Sequence, residues 1–192
     1  LKLALTAYLL SLAVFIPVSG WVADRFGARS TFMAAIAVFL LGSLACAASS
    51  TLEQMVAARF LQGTGGALMV PVGRLVLLRT VPKSELVQAL SWLTIPALVA
   101  PMIGPPLGGL ISTYGDWRWI FLINIPMGLL GIALARKYIP DLREPVPPLD
   151  WRGFALSGLG LALALFGFST LGRHLVSTSL AASCLVLGLA AM

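Results

Sequence analysis

The chain has 192 residues, of which 59% are hydrophobic and 10% are charged, and its mean hydropathy is +0.97. A soluble domain carries about 25% charged residues and needs polar outer faces on its helices, so this composition excludes an ordinary soluble protein. The net charge of +6 and the pI near 10.0 would suit nucleic-acid binding, but the basic residues alternate by loop, which argues against nucleic acid as a partner.

Seven apolar stretches follow one another along the chain, and each has the length of a membrane helix. A bilayer core about 30 Å thick needs about 17 or more apolar residues per helix. Six of the stretches contain no Asp, Glu, Lys, Arg or His, and the third contains only Arg59 and Arg74 from that group. The predicted spans are residues 3–23, 30–52, 54–78, 86–115, 119–135, 153–172 and 175–192.

Basic residues are concentrated in alternate loops, and this distribution predicts the orientation of the spans. The odd-numbered loops and the residues beside them hold nine basic residues, whereas the opposite side holds Lys2, Arg118 and Arg173. The positive-inside rule therefore places the odd-numbered loops in the cytoplasm and the start of the chain outside. The nine residues are Arg25, Arg29, Arg74, Arg79, Lys83, Arg136, Lys137, Arg143 and Arg152.

The longest polar segment, RKYIPDLREPVPPLDWR, covers residues 136–152 and contains four prolines. It cannot form a membrane helix, and it predicts a cytoplasmic linker between a transport bundle at 1–135 and two further helices at 153–192. The alternative is an ordinary loop between helices.

Because the chain begins at Leu1 and its last apolar stretch has no polar flank, we expect an internal fragment of a longer protein.

The sequence GWVADRFGARS, residues 20–30 and called the turn below, is unusually charged for this chain. Two spans must reverse direction within about eight residues, which Gly20 and Gly27 make sterically possible. Asp24 is a costly residue on a face that favours cations, so it needs a partner, either a helix N-terminus or an arginine. Arg25 and Arg29 are four residues apart and share a face if the segment is helical.

The turn resembles the loop between the second and third helices of the major facilitator superfamily, whose motif is glycine-x-x-x-aspartate-basic-x-glycine-basic-basic. Ala28 departs from this motif because a basic residue is common there, while Arg29 keeps the second basic position. In the family this loop braces the cytoplasmic side of the outward-facing state. The resemblance implies a gating role for Gly20, Asp24, Arg25, Gly27 and Arg29.

Arg59 lies within the third span, roughly 9 Å deep at 1.5 Å per residue, where a charged side chain is expensive and indicates function. The stretch RFLQGTGGA resembles the fourth-helix motif of the same superfamily, arginine-x-x-glutamine-glycine. The resemblance implies an intramembrane polar or coupling site at Arg59, Gln62 and Gly63. The alternative is an arginine whose guanidinium reaches back to the outer interface.

The fourth span carries four prolines and a row of small residues. Each proline lacks a backbone donor and is expected to bend the helix. Small residues recur every four positions, from Ala100 through Gly104 and Gly108 to Ser112, as a ridge on which another helix can pack. The stretch APMIGPPLGG resembles the fifth-helix motif of antiporters in the superfamily, with Ala100 replacing its first glycine; the alternative is a merely irregular span. The implied antiporter motif is Ala100, Gly104, Pro105, Gly108 and Gly109.

Two further stretches, DWRWIFLINIPMG at 116–128 and LDWRGFALSGLGL at 149–161, resemble the beginnings of the sixth and seventh helices in the fourteen-helix drug:proton antiporter branch. On this resemblance the chain is an all-α membrane protein, a partial helical bundle of the superfamily. It would cover helices two to eight, with the first helix and the second half of the transporter outside it.

The resemblance implies proton-coupled efflux of hydrophobic or cationic small molecules by alternating access, in a multi-pass protein of the bacterial inner (plasma) membrane. The expected partners are the substrate, protons and the lipid bilayer; no cofactor or metal is expected, and the proton gradient supplies the energy. All seven acidic residues lie at span ends or in loops, so the proton-carrying carboxylate is expected outside this chain.

Three other functions are weighed against efflux. An uptake symporter of the same superfamily is disfavoured by the fifth-helix motif, and a non-transporting membrane scaffold has no reason to bear the cost of Arg59. A membrane enzyme would need a cluster of His, Asp and Glu, or of Cys and His, at membrane depth. The spans contain no such cluster, so we expect no enzyme.

Overall fold

The computed structural model describes residues 2–170 and 178–191, and within them the chain is helical, with no strand. The apolar stretches and the absence of interior polar runs favour helices, because in a bilayer each backbone N–H and C=O must be paired within its own segment. The helices in these residues are α1 (Lys2–Phe15), α2 (Ser19–Phe26), α3 (Ala28–Ala48), α4 (Leu52–Thr80), α5 (Leu86–Tyr114), α6 (Trp119–Leu122), α7 (Asn124–Tyr138), α8 (Trp151–Thr170) and α9 (Thr178–Ala190).

Among the described residues, five helical segments are long and apolar enough to cross a membrane, and a sixth is obtained when α1 and α2 are counted as one bent span. The short helix α6 and helix α7 together make one of the five, Trp119–Tyr138. Helix α9 is apolar but has only 13 residues, fewer than a span needs. Residues 175–177 and 192 of the seventh predicted span lie outside the described residues, so that span stays a prediction.

The first predicted span, 3–23, was expected to be one helix, and that expectation is wrong. Helices α1 and α2 meet at 59° across a short break between Phe15 and Ser19. Pro17 lies in this break and has no N–H to continue the helical ladder. After the break, the hydroxyl and the backbone N–H of Ser19 both donate to the carbonyl of Ile16, at 2.6 and 3.1 Å.

A single residue separates the helices on the two sides of the turn, within the eight residues in which the chain was expected to reverse direction. Gly27 separates α2 from α3 and has a φ of 94°, which L side chains rarely adopt. Because Arg25 lies in the last turn of α2 and Arg29 in the first turn of α3, the two arginines do not share one helical face. The charges of the turn therefore lie on two helix ends and not in a loop.

The core is formed by α1, α3 and α4, which pack closely through glycines. A Cβ on Gly65 of α4 would lie 2.5 Å from the backbone nitrogen of Phe39, and a Cβ on Gly42 of α3 would lie equally close to the backbone of Gln62. A Cβ on Gly63 of α4 would likewise overlap the hydroxyl of Ser11 in α1. Small residues thus bring three backbones together, as is typical of membrane helix pairs.

Helix α5 lies at the edge of this core. None of its residues is buried, although it is 29 residues long. The four prolines do not interrupt it, since it runs continuously from Leu86 to Tyr114. A proline in a helix removes one backbone hydrogen bond, and here the rest of the ladder keeps the segment helical.

The connecting segment, residues 139–150, has no regular secondary structure and joins α7 to α8. Helix α8 packs against α1, with the rings of Phe154 and Phe15 6.4 Å apart. It also pairs with α9, where a Cβ on Gly188 would lie 2.5 Å from the backbone nitrogen of Ala164. The division of the chain at 136–152 into bundle, linker and extra helices stays a prediction.

Candidate functional site

Asp24 lies at the end of α2 and forms an ion pair with Arg79, 2.7 Å from carboxylate Oδ1 to Nη1. Arg79 lies in the last turn of α4, which is 29 residues long, roughly 43 Å at 1.5 Å per residue, and therefore longer than a bilayer core of about 30 Å. The second guanidinium nitrogen of Arg79 is 3.2 Å from Glu144 in the connecting segment. One arginine therefore joins two acids from distant parts of the chain.

The connecting segment is held against the turn by hydrogen bonds as well. The indole N–H of Trp21 donates to the carbonyl of Pro147 at 2.9 Å, and the backbone N–H of Ala28 donates to the carbonyl of Leu142 at 2.9 Å. The N–H of Glu144 donates to the carbonyl of Asp24 at 3.2 Å. Sequence reasoning missed this docking, because the segment was interpreted as a linker.

The other predicted residues of the turn have different surroundings. Arg25 is exposed and Arg29 is half-buried, and neither forms an ion pair within the residues that the structure describes. Gly20 has open space where a Cβ would be, whereas a Cβ on Gly27 would overlap the carboxylate of Asp141. The structure therefore brings Asp24 and Gly27 to the connecting segment and leaves Arg25 outside this contact.

Arg59 begins a chain of polar contacts inside the bundle. Its Nη1 donates to the amide oxygen of Gln62 at 3.1 Å, and the Gln62 amide nitrogen donates to the hydroxyl of Ser43 at 2.7 Å. Asn124 of α7 donates to the same hydroxyl at 3.2 Å. Gln62 is only 2% exposed, so this network joins α4, α3 and α7 in a dry environment, where unpaired polar groups would be costly.

The guanidinium of Arg59 is held by aromatic rings rather than by an acid. Its Cζ lies 4.7 Å from the ring centre of Phe121 and 5.9 Å from that of Tyr8, distances at which a cation is attracted to a ring face. The side chain is half-buried. The coupling role of Arg59, and the alternative in which its guanidinium reaches back to the interface, stay predictions.

Ser43 and Asn124 are parts of this network that the sequence analysis did not identify. Both are uncharged polar residues in apolar stretches, and that is the only signal the sequence offers for them. Gly63 is buried beside the network and lets α1 approach α4 at the level of Ser11.

A cavity of about 600 Å³ opens beside Arg59. Its walls come from α1, α4, α5, α6 and the loop between α5 and α6, and they are mostly apolar. A space of this size and character is typical of small-molecule sites, which are apolar with a few polar groups. The lining residues are Ala4, Leu5, Met55, Arg59, Ser112, Trp117, Ile120 and Phe121.

The predicted antiporter motif lies on the exposed helix α5. In the described part of the chain, no atom of another element lies within 4 Å of a Cβ built on Gly104 or on Gly109. A Cβ built on Gly108 would lie 4.0 Å from Cδ1 of Ile120. The small-residue ridge is therefore free to receive another helix. Ala100 and Pro105 are exposed on the same helix.

At the opposite end of the bundle, Asp116 and Arg118 form an ion pair of 3.3 Å in the short loop after α5. The backbone N–H of Arg118 donates to Asp116, and together with the Arg118 side chain it holds the pKa of this carboxyl below its usual 3.8. The Nε of Arg118 also donates to the carbonyl of Ala47 at 2.9 Å, which ties this loop to the end of α3.

The chemistry available at these sites is rearrangement of ion pairs and hydrogen bonds. Among residues 2–170 and 178–191, no group of three His, Cys, Asp or Glu is placed to hold a metal ion. Cys46 is buried and Cys184 is half-buried, and both are free thiols. Polar groups that bridge helices, beside a cavity, suit binding and conformational exchange.

Comparison with known proteins gives a family and several relatives. A sequence model described as "Major Facilitator Superfamily" matches residues 1–192. The chain is 46% identical over 175 residues to the "Putative multidrug resistance protein MdtD" of Cronobacter sakazakii, covering 90% of this chain and 37% of that protein. It is 42% identical over 189 residues to the "Probable transport protein HsrA" of Haemophilus influenzae, covering 98% of this chain and 41% of that protein. The chain therefore spans about two fifths of the length of the curated relatives it matches.

Proposed function

Since the chain belongs to the major facilitator superfamily, we propose that it works as part of a multidrug-type exporter in the bacterial inner membrane. The exporter expels hydrophobic or cationic small molecules in exchange for protons and works by alternating access. The relatives from Cronobacter and Salmonella, named as multidrug resistance proteins, support this choice within the family.

The observation that carries the proposal is Arg59 with its surroundings. A guanidinium at membrane depth is expensive unless it is partnered, and here it is bound by Gln62 and by the face of Phe121. The same residue lines a mostly apolar cavity of about 600 Å³. A charged group that is retained beside a cavity supports a binding or coupling function and is hard to explain in a scaffold.

Proton exchange requires a carboxylate that can reach both sides of the membrane. The acidic residues of this chain lie at helix ends or between helices: Asp24, Glu53, Glu85, Asp116, Asp141, Glu144 and Asp150. We therefore assign the proton-carrying carboxylate to the rest of the full-length protein. Arg59 then acts on that carboxylate through its charge, since a nearby cation favours the ionised form.

The test follows proton-driven transport by the full-length protein in inside-out membrane vesicles whose lumen has been acidified. An exporter should accumulate a fluorescent lipophilic cation inside the vesicles, release luminal protons as it does so, and stop when an uncoupler is added. A symporter would instead move substrate out of the vesicles together with protons.

Arg59→Ala should abolish this accumulation, and Arg74→Ala should leave it unchanged. Arg74 is a suitable control because it lies on the same helix and is exposed. Equal accumulation by the two variants, at matched protein levels, would refute the function proposed for Arg59.

A further inference from the structure

The connecting segment, residues 139–150, is docked onto the turn although it has no regular secondary structure. We propose that it is a cytoplasmic strap that holds the turn in place, and that Glu144 is the residue that positions Arg79 on Asp24. The effect of the strap on transport rests on the proposed function, whereas its docking does not.

The geometry at Arg79 supports a shared ion pair. One terminal nitrogen binds Asp24 at 2.7 Å and the other faces Glu144 at 3.2 Å. A guanidinium is a rigid planar fork, so fixing one nitrogen fixes the direction of the other. Glu144 is in turn held by its own backbone N–H on the carbonyl of Asp24.

An apolar contact lies beneath the ion pairs. Leu142 and Ile139 pack against a buried cluster made of Ala23, Ala28, Val72 and Val76. This cluster joins the ends of α2, α3 and α4, so the connecting segment covers the point where the three helices meet. Burying the two side chains there gives the segment a preference for this position that does not depend on charge.

The prolines of the segment lower the entropic cost of docking. Pro140, Pro145, Pro147 and Pro148 fix their φ angles and reduce the conformations of the undocked chain. Pro147 also supplies the carbonyl that accepts from the Trp21 indole. A segment rich in proline therefore loses little conformational entropy when it docks, and this suits it to act as a strap.

The consequence for alternating access follows from the sharing of Arg79. Movement of α2 away from the end of α4 breaks the Asp24–Arg79 pair, and it also takes the Asp24 carbonyl away from the N–H of Glu144. The strap and the turn then release together. Docking of the strap favours the state in which the turn is held.

The experiment measures how accessible the strap is in the full-length protein. Val146, which is half-buried, is replaced by cysteine in a full-length background from which all native cysteines, Cys46 and Cys184 among them, have been removed. The reporter reacts with a membrane-impermeant maleimide in inside-out vesicles, without substrate or proton gradient. Glu144→Gln should raise the reaction rate about two- to fivefold, the effect typical of a partly exposed ion pair.

Glu85→Gln is the matched control, because Glu85 is exposed and has no ion pair within the described residues. Its reaction rate should equal that of the parent protein. Trp21→Phe, which removes the indole donor, should raise the rate independently of charge. If neither Glu144→Gln nor Trp21→Phe changes the rate, the segment is not docked and the proposal is wrong.

A double variant tests the positioning role of Glu144. In an Arg79→Gln background, Glu144→Gln should add little to the reaction rate, whereas Trp21→Phe should still add its full effect. An additive effect of Glu144→Gln would show that it acts without Arg79 and would overturn the role given to it.

Transport by the same variants separates the strap from the proposed function. If Glu144→Gln raises the labelling rate and changes proton-driven transport relative to Glu85→Gln, the strap influences the transport cycle. If labelling rises while transport matches the control, that influence is refuted. Absence of transport in the parent protein would refute the proposed function, and the labelling would still decide whether the segment is docked.

Discussion

Asp24 is the residue on which the turn depends, since its carboxylate pairs with Arg79 and its carbonyl receives the N–H of Glu144. The carboxylate is 18% exposed, so water screens the pair only in part. Asp24→Asn keeps the shape and the backbone contact but removes the charge. We expect the full-length variant to reach the membrane at normal levels and to lose most of its efflux, because one conformational state loses its stabilising ion pair.

The measurement is drug efflux from cells at matched protein levels, with Glu53→Gln as the control. Glu53 lies in the first turn of α4, at the opposite end from Arg79. Normal efflux by the Asp24→Asn variant would show that the charge of this residue has no part in gating.

Gln62 is the second residue whose replacement should have a large effect, here on stability, because its amide links Arg59 to Ser43 in a buried position. Gln62→Leu removes the amide partner of the Arg59 guanidinium and leaves the Ser43 hydroxyl with the bond from Asn124, and a buried polar group that loses its partner costs about 1–3 kcal/mol. We expect a clearly lower thermal unfolding temperature in detergent. Gln88→Leu on the exposed helix α5 is the control, and equal unfolding temperatures would contradict the network.

At the scale of the elements, the space around each glycine distinguishes the packed helices α3 and α4 from the exposed helix α5. Gly65 lies against the backbone of α3, whereas Gly104 on α5 has open space around it. Gly65→Ala should lower the unfolding temperature, because overpacking costs about 1–3 kcal/mol. Gly104→Ala should leave it unchanged or raise it, since alanine favours a helix by about 1 kcal/mol over glycine.

Thermal unfolding of the two alanine variants in the same detergent makes the comparison. The added atom and the helix propensity are identical, so the difference isolates the contact between α3 and α4. A Gly104→Ala variant that is less stable than Gly65→Ala would mean that α5 is packed and that the α3–α4 contact is loose.

At the scale of the whole molecule, the ends of the bundle predict a topology. Arg29, in the first turn of α3, and Lys83, between α4 and α5, lie at the end of the bundle near the turn, and Gly115 lies at the other end. The positive-inside rule places the first two in the cytoplasm. Cysteines at 29 and 83 should react with an impermeant maleimide only after the cells are opened, and a cysteine at 115 should react in intact cells. Labelling at 29 but not at 115 in intact cells would reverse the orientation.

The sequence predicts the helices well because the bilayer leaves few alternatives. The fourth predicted span, 86–115, and helix α5, Leu86–Tyr114, differ by one residue. The bend at Pro17 was not predicted, since prolines are often accommodated within membrane helices. Whether a proline bends its helix depends on neighbouring contacts that periodicity does not reveal.

The sequence predicted part of the candidate site, because charged residues stand out in an apolar chain and uncharged polar residues do not. Arg59 and Asp24 are conspicuous in apolar surroundings, so their positions could be singled out from the sequence. Ser43 and Asn124 are uncharged, and such residues in membrane helices carry little signal. Glu144 looked like one charge among several in a polar segment, and its partner Arg79 is far away in the chain.

The hydrogen bond between Trp21 and Pro147 joins residues that are 126 positions apart. Ribosomes add about 5–20 residues per second, so on the order of ten seconds pass between the synthesis of the two. Asp24 and Arg79, only 55 positions apart, can meet well before that. Each newly made copy therefore passes through several seconds in which the turn can pair but the strap cannot yet close, because the segment beyond α7 has not been translated.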